Sequence, residues 1–348
     1  MKAMSKPVIL TGLRANNNLT IGNYFGAMLP IIDMAKKRSA DYQVNMFIPD
    51  LHSITTPVDY SAINNQIIQT AKVFVAAGLP IDNDEIYLYR QSYISAHSEL
   101  TWILDCFTGI GEMNRMTQFK DKSGTVGDER VSVGLFNYPV LMAADMLLYS
   151  SEYVPVGDDQ TQHLEITRDI GARINNQFGD IFTIPRAVKE QHAFFGKEQG
   201  LRIMDLQDPS KKMSKSDESG KGVIFLSDTP EDAARKVMSA ATDDKAYVRF
   251  DRENQPGISN LLELLALFQQ RDLKDVVAEF EGQTLYGDFK ALVAEEVRRF
   301  LHDFQQNLSE VDEAAVIAKL EQSEADLTII ANQTLLRAQQ AVGLRPRN

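Results

Sequence analysis

Residues Val8 to Met28 read VILTGLRANNNLTIGNYFGAM, and the order of textures within this stretch decides the fold. Val8 to Leu10 suit a short buried strand, and Gly12 follows. A polar turn then carries Asn16, Asn17 and Asn18, residues that tolerate left-handed or capping backbone. Thr20-Ile21-Gly22-Asn23 opens a helix predicted over Gly22 to Lys37. The N-terminal end of a helix favours anions and Gly22 lets a ligand approach the backbone, so the turn is a candidate nucleotide cradle. Its letters match neither a P-loop nor GxGxxG, and alone it fits an ordinary capped helix equally well.

Working outward, two more apolar runs, Val44 to Ile48 and Ile86 to Tyr89, read as buried strands. Between them Ala62 to Ala77 carries Ile63, Ile67, Ile68, Val73, Phe74 and Val75 at helical spacing, and Gly78-Leu79-Pro80 stops it. Strand, helix, strand, helix, strand implies right-handed crossovers: an α/β fold with a Rossmann-like, doubly wound parallel sheet. In such sheets ligands bind beyond the C-terminal strand ends, here just after Leu10, Ile48 and Tyr89. Further along, Thr229-Pro230-Glu231 and Pro256-Gly257 open helices, and helical spacing continues from Asp288 to Val342 with Gly343 as cap. The expected organisation is a catalytic domain over 1–205, a loop and linker over 206–225, and a C-terminal helical domain over 226–348.

Composition narrows the chemistry. The 348 residues carry 36 Lys and Arg against 48 Asp and Glu, a formal charge of −12, which disfavours polyanion binding by the whole surface and requires any phosphate partner to meet a local basic patch. No apolar run approaches a membrane span and the N-terminus lacks a signal-peptide pattern, so a soluble, cytoplasmic protein is expected. Cys106 is alone, which excludes an internal disulfide and a Cys-rich zinc site, and reads as a small buried side chain in an apolar helix. No His/Cys cluster suggests a resident metal.

The local basic patch is PSKKMSKSDESG, Pro209 to Gly220. A solvated charge run is the plain alternative. Paired with the first turn it gains a purpose: nucleotidyl transfer needs a nucleotide held near its α-phosphate and cations that neutralise the departing pyrophosphate. Lys212-Met213-Ser214-Lys215-Ser216 is letter for letter the KMSKS loop of class I aminoacyl-tRNA synthetases. Thr20-Ile21-Gly22-Asn23 resembles that class's HIGH signature with both histidines replaced by side chains that still hydrogen-bond. Four further segments are similar to the tryptophanyl-tRNA synthetases: MTQFKDKS (Met116 to Ser123), YPVLMAADMLLY (Tyr138 to Tyr149), VPVGDDQTQHLEITRD (Val154 to Asp169) and RIM (Arg202 to Met204). The resemblance runs from Gly12 to Leu344. It departs at Arg14-Ala15-Asn16-Asn17, where bacterial members typically carry Gln-Pro-Ser-Gly.

The chemistry of these segments can also be read directly. YPVLMAAD is an apolar helix start with one carboxylate, Asp145, costly to bury without a donor. An indole offers only a donor N–H, so a single acceptor in an apolar pocket suits tryptophan, although a phenol would be satisfied too. The resemblance implies that Asp145 is that acceptor, that Tyr138 and Gln160 hold the substrate's ammonium and carboxylate, and that Met142, Val154 and Val156 wall the ring. It implies that His52 lies beside the substrate, that His163 belongs to the DQxxH segment, and that Gly157, Asp158, Asp159 and Ile203 contact ATP. Arg14, Ala15, Asn16, Gly22, Asn23, Met213, Ser214 and Ser216 complete the expected ATP site. Thr20, Asn23, Lys212, Lys215 and Lys122 are the expected catalytic groups. His97, His192 and His302 read as ordinary structural histidines.

The implied reaction is tryptophan activation by ATP, with Mg²⁺ arriving on the nucleotide, and transfer to the 2′-hydroxyl of a tRNA specific for tryptophan, by a homodimer. Competing readings are a tyrosyl-tRNA synthetase, a small-molecule adenylyltransferase and a non-catalytic RNA-binding paralogue. The adenylyltransferase leaves the long helical C-terminal region unexplained, and the paralogue does not explain the intact KMSKS lysines.

Overall fold

The computed structural model describes residues 6–13, 19–116, 131–155, 157, 160–196, 202–214 and 220–347. Its centre is a four-stranded, all-parallel sheet of β1 (Val8–Gly12), β2 (Gln43–Ile48), β3 (Ile86–Arg90) and β4 (Ser151–Tyr153), in the order β3-β2-β1-β4. Val8 lies opposite Gln43, and Val44 opposite Ile86. The three strands read from apolar runs are present. The short β4, Ser-Glu-Tyr, adds a fourth that has no such run. The chain lays down β1, β2 and β3 in one direction and then places β4 on the far side of β1, and that reversal opens a crevice at the C-terminal ends of β1 and β4.

Alternate strand residues feed two cores, as period-two geometry requires. Ile9, Val44, Met46, Ile48, Ile86 and Leu88 face a core shared with helices Leu29–Arg38, Ile63–Ala76, Pro230–Met238, Pro256–Phe268 and Tyr286–Glu310. Val8, Leu10, Phe47 and Tyr89 face the opposite core, with helices Ala96–Asp105, Val133–Leu148 and Thr161–Phe178. Each fully buried Ile or Leu here contributes roughly 1.5–3 kcal/mol of transfer free energy. The last helix, Glu313–Ala341, joins both cores, with Val316 and Leu320 in the first and Leu327, Ala331, Leu335 and Ala338 in the second. Where it crosses the sheet edge, Ser323 Oγ accepts from Leu88 N (3.1 Å) and Glu324 Oε1 from Arg90 N (3.0 Å). The helix thereby covers the outer edge of β3, satisfying alternate N–H groups that would otherwise be buried without partners.

Several local expectations need correcting. The helix predicted from Gly22 begins at Ile21 and contains a widened π turn, Tyr24–Met28, before resuming as Leu29–Arg38. Pro30, which lacks an N–H and crowds the carbonyl four residues back, accounts for the widening. The helix expected to start at Tyr138 starts at Val133, capped by Ser132 Oγ, which accepts from Leu135 N, so Pro139 lies inside it. Cys106 is exposed, because it follows the last turn of Ala96–Asp105, whose inward face is spent on Leu100, Ile103 and Leu104. Beyond residue 226 the chain is mainly helical as expected, with a long irregular connection over 239–255 and, at Val311-Asp312, a break where Asp312 caps the final helix. Gly343 takes the left-handed conformation (φ 82°) that ends it. Among the described residues no helix is long and apolar enough to cross a membrane.

Candidate active site

The first turn and the KMSKS segment meet. Thr20 caps the helix by accepting from Asn23 N (3.1 Å), while Asn23 Oδ1 accepts from Thr20 N (3.1 Å), a reciprocal capping box. Ile21 N donates to Ile224 O and Leu226 N to Leu19 O, so the chain leaving the KMSKS loop is stitched to the helix entrance. On the other side Met213 N donates to Ile203 O, and Asn260 brackets Met204 through its N–H and its carbonyl. Gly22 sits between these parts. A Cβ added there would lie 3.3 Å from Thr20 Oγ1 and 3.9 Å from the Cβ atoms of Ile203 and Met213. The first turn and the segment before and within KMSKS therefore lie within contact distance of each other at Gly22, and only Thr20 Oγ1 would be crowded by a side chain there.

The two lysines of the described segment differ. Lys211 is tied to Asp208 (2.8 Å), which holds that carboxyl at about 2, whereas Lys212 is exposed and has no acidic partner among the described residues. Among the described residues Lys212 is thus a cation without an acidic partner, in the segment that packs against the helix entrance at Gly22.

A second cluster lies deeper in the crevice. His52 rides on the short helix Asp50–Ser53 directly after β2, and Asp50 anchors that helix by accepting from Ser92 N (2.8 Å) and Ser92 Oγ (2.5 Å) after β3. His52 Nε2 stands 2.8 Å from Asp145 Oδ2. Asp145 Oδ1 receives Gln91 Nε2 (2.6 Å) and His97 Nδ1 (2.6 Å). Burial would raise the Asp145 pKa, but the bonds from His52 and His97 outweigh it and bring the carboxyl to about 2. Tyr138 hydroxyl meets His163 Nε2 at 2.8 Å and its ring stands edge-on to His52. Val154 is buried immediately after β4, Met142 lies half-buried beside the second core, and Gln160 directly precedes the helix Thr161–Phe178.

The sheet and the cleft agree with a family pattern, tRNA synthetases class I (W and Y), that matches residues 2–302. The tryptophan–tRNA ligase of Caldanaerobacter subterraneus subsp. tengcongensis is 42% identical over 336 residues, covering 97% of this chain and 98% of that protein. The chain belongs to the tryptophanyl-tRNA synthetases. The Bacillus subtilis tryptophan–tRNA ligase is 40% identical, covering 97% of this chain and 98% of its own length. A tryptophanyl-tRNA synthetase from Campylobacter jejuni, solved as a complex with ADP and tryptophan, superposes with a TM-score of 0.79 at 30% identity, covering 97% and 99% of the two chains.

Within this synthetase frame the sequence-derived residues form two groups. Thr20, Gly22, Asn23, Ile203, Lys212 and Met213 converge around the first turn, with Ser214 exposed next to Met213 and Gly157 exposed after β4. Asp145 and His52, and Tyr138 and His163, are brought together in the deeper part, whereas Val154 and Met142 belong to the second core and Gln160 precedes the helix Thr161–Phe178. Arg14, Ala15, Asn16, Lys122, Val156, Asp158, Asp159, Lys215 and Ser216 lie outside the described residues. The picture of Asp145 as a single acceptor in an apolar pocket needs revision, since it already carries three donors. Two of them, Gln91 and His97, were not anticipated as site residues. Gln91 directly follows β3 and His97 sits in the first turn of the next helix, Ala96–Asp105, and neither carries a motif that marks it.

Proposed function

We propose that this chain is a tryptophan–tRNA ligase with ATP, as its Mg²⁺ complex, for a co-substrate. The carrying observation is the approach of Ile203 and Met213 to Gly22, which brings the helix entrance and the lysine-bearing KMSKS segment to one place. A tryptophan carboxylate oxygen attacks the α-phosphorus, forming the acyl phosphate bond as the bond to the β-phosphate oxygen breaks and pyrophosphate leaves. The 2′-hydroxyl of the tRNA terminus then attacks the adenylate carbonyl, losing its proton as AMP departs. No protein nucleophile is needed; the chain supplies orientation and charge stabilisation. Lys212 and Lys215 meet phosphate charge, with Lys122 as a further cation, and the metal stays on phosphate and water oxygens as part of the substrate. Asp145 Oδ2 accepts the indole N–H, while Tyr138 and Gln160 hold the amino and carboxylate groups.

Residues 226–348 are assigned to tRNA anticodon recognition, and the chain is assigned to the cytoplasm as a homodimer with each tRNA spanning both subunits. Support for association is a patch in which exposed Ile54 and Trp102, 46% and 71% accessible, border a cavity of about 400 Å³ that is also lined by Leu51, Gly134 and Leu141. Incubating the purified protein with labelled tryptophan, MgATP and tRNA tests the whole reaction. Acid-precipitable tryptophanyl-tRNA is expected, and adenylate formation without transfer would reject the ligase reading.

A further inference from the structure

Asp145 is an acceptor-only carboxylate with about four lone-pair positions, and the structure shows how they are shared out. Gln91 Nε2 and His97 Nδ1 both reach Oδ1, whereas Oδ2 has His52 Nε2 alone. Oδ1 is therefore saturated, and one position on Oδ2 is left. That oxygen faces His52, whose side chain is 19% accessible, while His97 on the opposite side is fully buried. The oxygen with the spare position is thus the one on the more accessible, His52 side of the carboxylate.

His97 is itself held from behind. Its Nε2 is 2.8 Å from Tyr149 hydroxyl, and its ring lies beside the stacked pair of Phe47 (6.5 Å) and Tyr89 (6.1 Å). Because the carboxylate can only accept, Nδ1 carries the proton, and in the neutral ring Nε2 takes the Tyr149 O–H. Gln91 is fixed in the same sense, since turning its amide over would set a carbonyl oxygen against a carboxylate oxygen.

We propose that His97 is a positioning residue for tryptophan recognition: together with Gln91 it occupies Asp145 Oδ1 and leaves Oδ2 as the one acceptor for the indole N–H. The inference rests on the reading of Asp145 as the indole acceptor. Without His97 the carboxylate loses a donor and a directional restraint, and the freed Oδ1 position competes with Oδ2 for the substrate's proton. Discrimination between a donor and a non-donor ring then weakens while the ATP site, built on other elements, is untouched.

The test is ATP–pyrophosphate exchange with tryptophan and with its benzothiophene analogue, in which sulfur replaces the N–H. Selectivity is the ratio of the two kcat/KM values. His97→Leu should lower it by roughly 10-fold or more with ATP KM unchanged. His97→Asn, whose amide nitrogen falls near the position of Nδ1, should restore most of it, and His97→Gln, whose nitrogen falls near that of Nε2, should not. Tyr149→Phe removes only the hydroxyl behind the imidazole and should give a smaller loss, which keeps the test decisive if His97→Leu does not fold. Equal losses on both substrates, or unchanged selectivity in His97→Leu and Tyr149→Phe while Asp145→Ala loses it, would overturn the positioning role. Unchanged selectivity in Asp145→Ala would instead remove the reading of Asp145 itself.

Discussion

Arg90, the last residue of β3, and Glu324, in the middle of the final helix, form a bidentate ion pair at 2.6 and 2.7 Å with both side chains almost fully buried. Glu324 Oε1 also accepts from Arg90 N. The C-terminal helix is therefore bonded to the strand whose next two residues, Gln91 and Ser92, hold Asp145 and the anchor of the His52 helix. Removing one partner leaves an uncompensated buried charge. Glu324→Ala should cost roughly 3–5 kcal/mol of stability. In an Arg90→Met background Glu324→Gln should recover most of that, because the amide oxygen still accepts from the strand N–H. Denaturant unfolding of the three variants measures this; a loss below 1 kcal/mol in Glu324→Ala would mean the pair is not a structural clamp.

The KMSKS lysines should differ sharply from their neighbour. Lys212→Ala and Lys215→Ala are expected to slow adenylate formation by about 10²–10³ while tryptophan affinity stays nearly constant, the pattern of charge stabilised in the transition state. Lys211, already tied to Asp208, should lose less than about 3-fold in the same single-turnover assay. Equal sensitivity of all three would reduce the segment to a general electrostatic patch.

Gly22→Ala tests the closure of the two signatures. The methyl group would press on Thr20 Oγ1 and touch Ile203 and Met213, a small overpacking that shifts the groups around the nucleotide. ATP kcat/KM should fall about 10-fold with the tryptophan dissociation constant unchanged. A variant impaired in tryptophan binding alone would place Gly22 outside the ATP site.

The acid limb of stability should report on Asp145. Its pKa lies at about 2 in the fold against an ordinary 3.8, so its ionisation stabilises the native state above about pH 4 and that contribution disappears as pH falls towards 2. The amount is on the order of 2 kcal/mol. Asp145→Asn should be less stable than wild type near pH 5 and should show a flatter stability curve between pH 4 and 2. Parallel curves for the two proteins would mean the donors around Asp145 do not favour its charged form.

Much of this architecture was legible because β1, β2 and β3 are buried on both faces and so appear as unbroken apolar runs. The strand β4, Ser-Glu-Tyr, has no such run, and its place follows from the two helices that flank it. The first turn and KMSKS were legible because their chemistry depends on backbone and side-chain types at fixed local spacing. Gln91 and His97 were not, since a buried polar residue paired with another distant in sequence leaves no periodic trace. Ser323 and Glu324 were hidden for the same reason: on an amphipathic helix they look like its solvent face.

The account stands most directly on which amino acid drives ATP–pyrophosphate exchange. Purified protein with MgATP and labelled pyrophosphate should incorporate label into ATP when tryptophan is added, with tyrosine and phenylalanine at least about 10³-fold weaker in kcat/KM, since one lacks the indole shape and the other any ring donor. Exchange driven by tyrosine as well as by tryptophan, or no exchange with any amino acid, would contradict it.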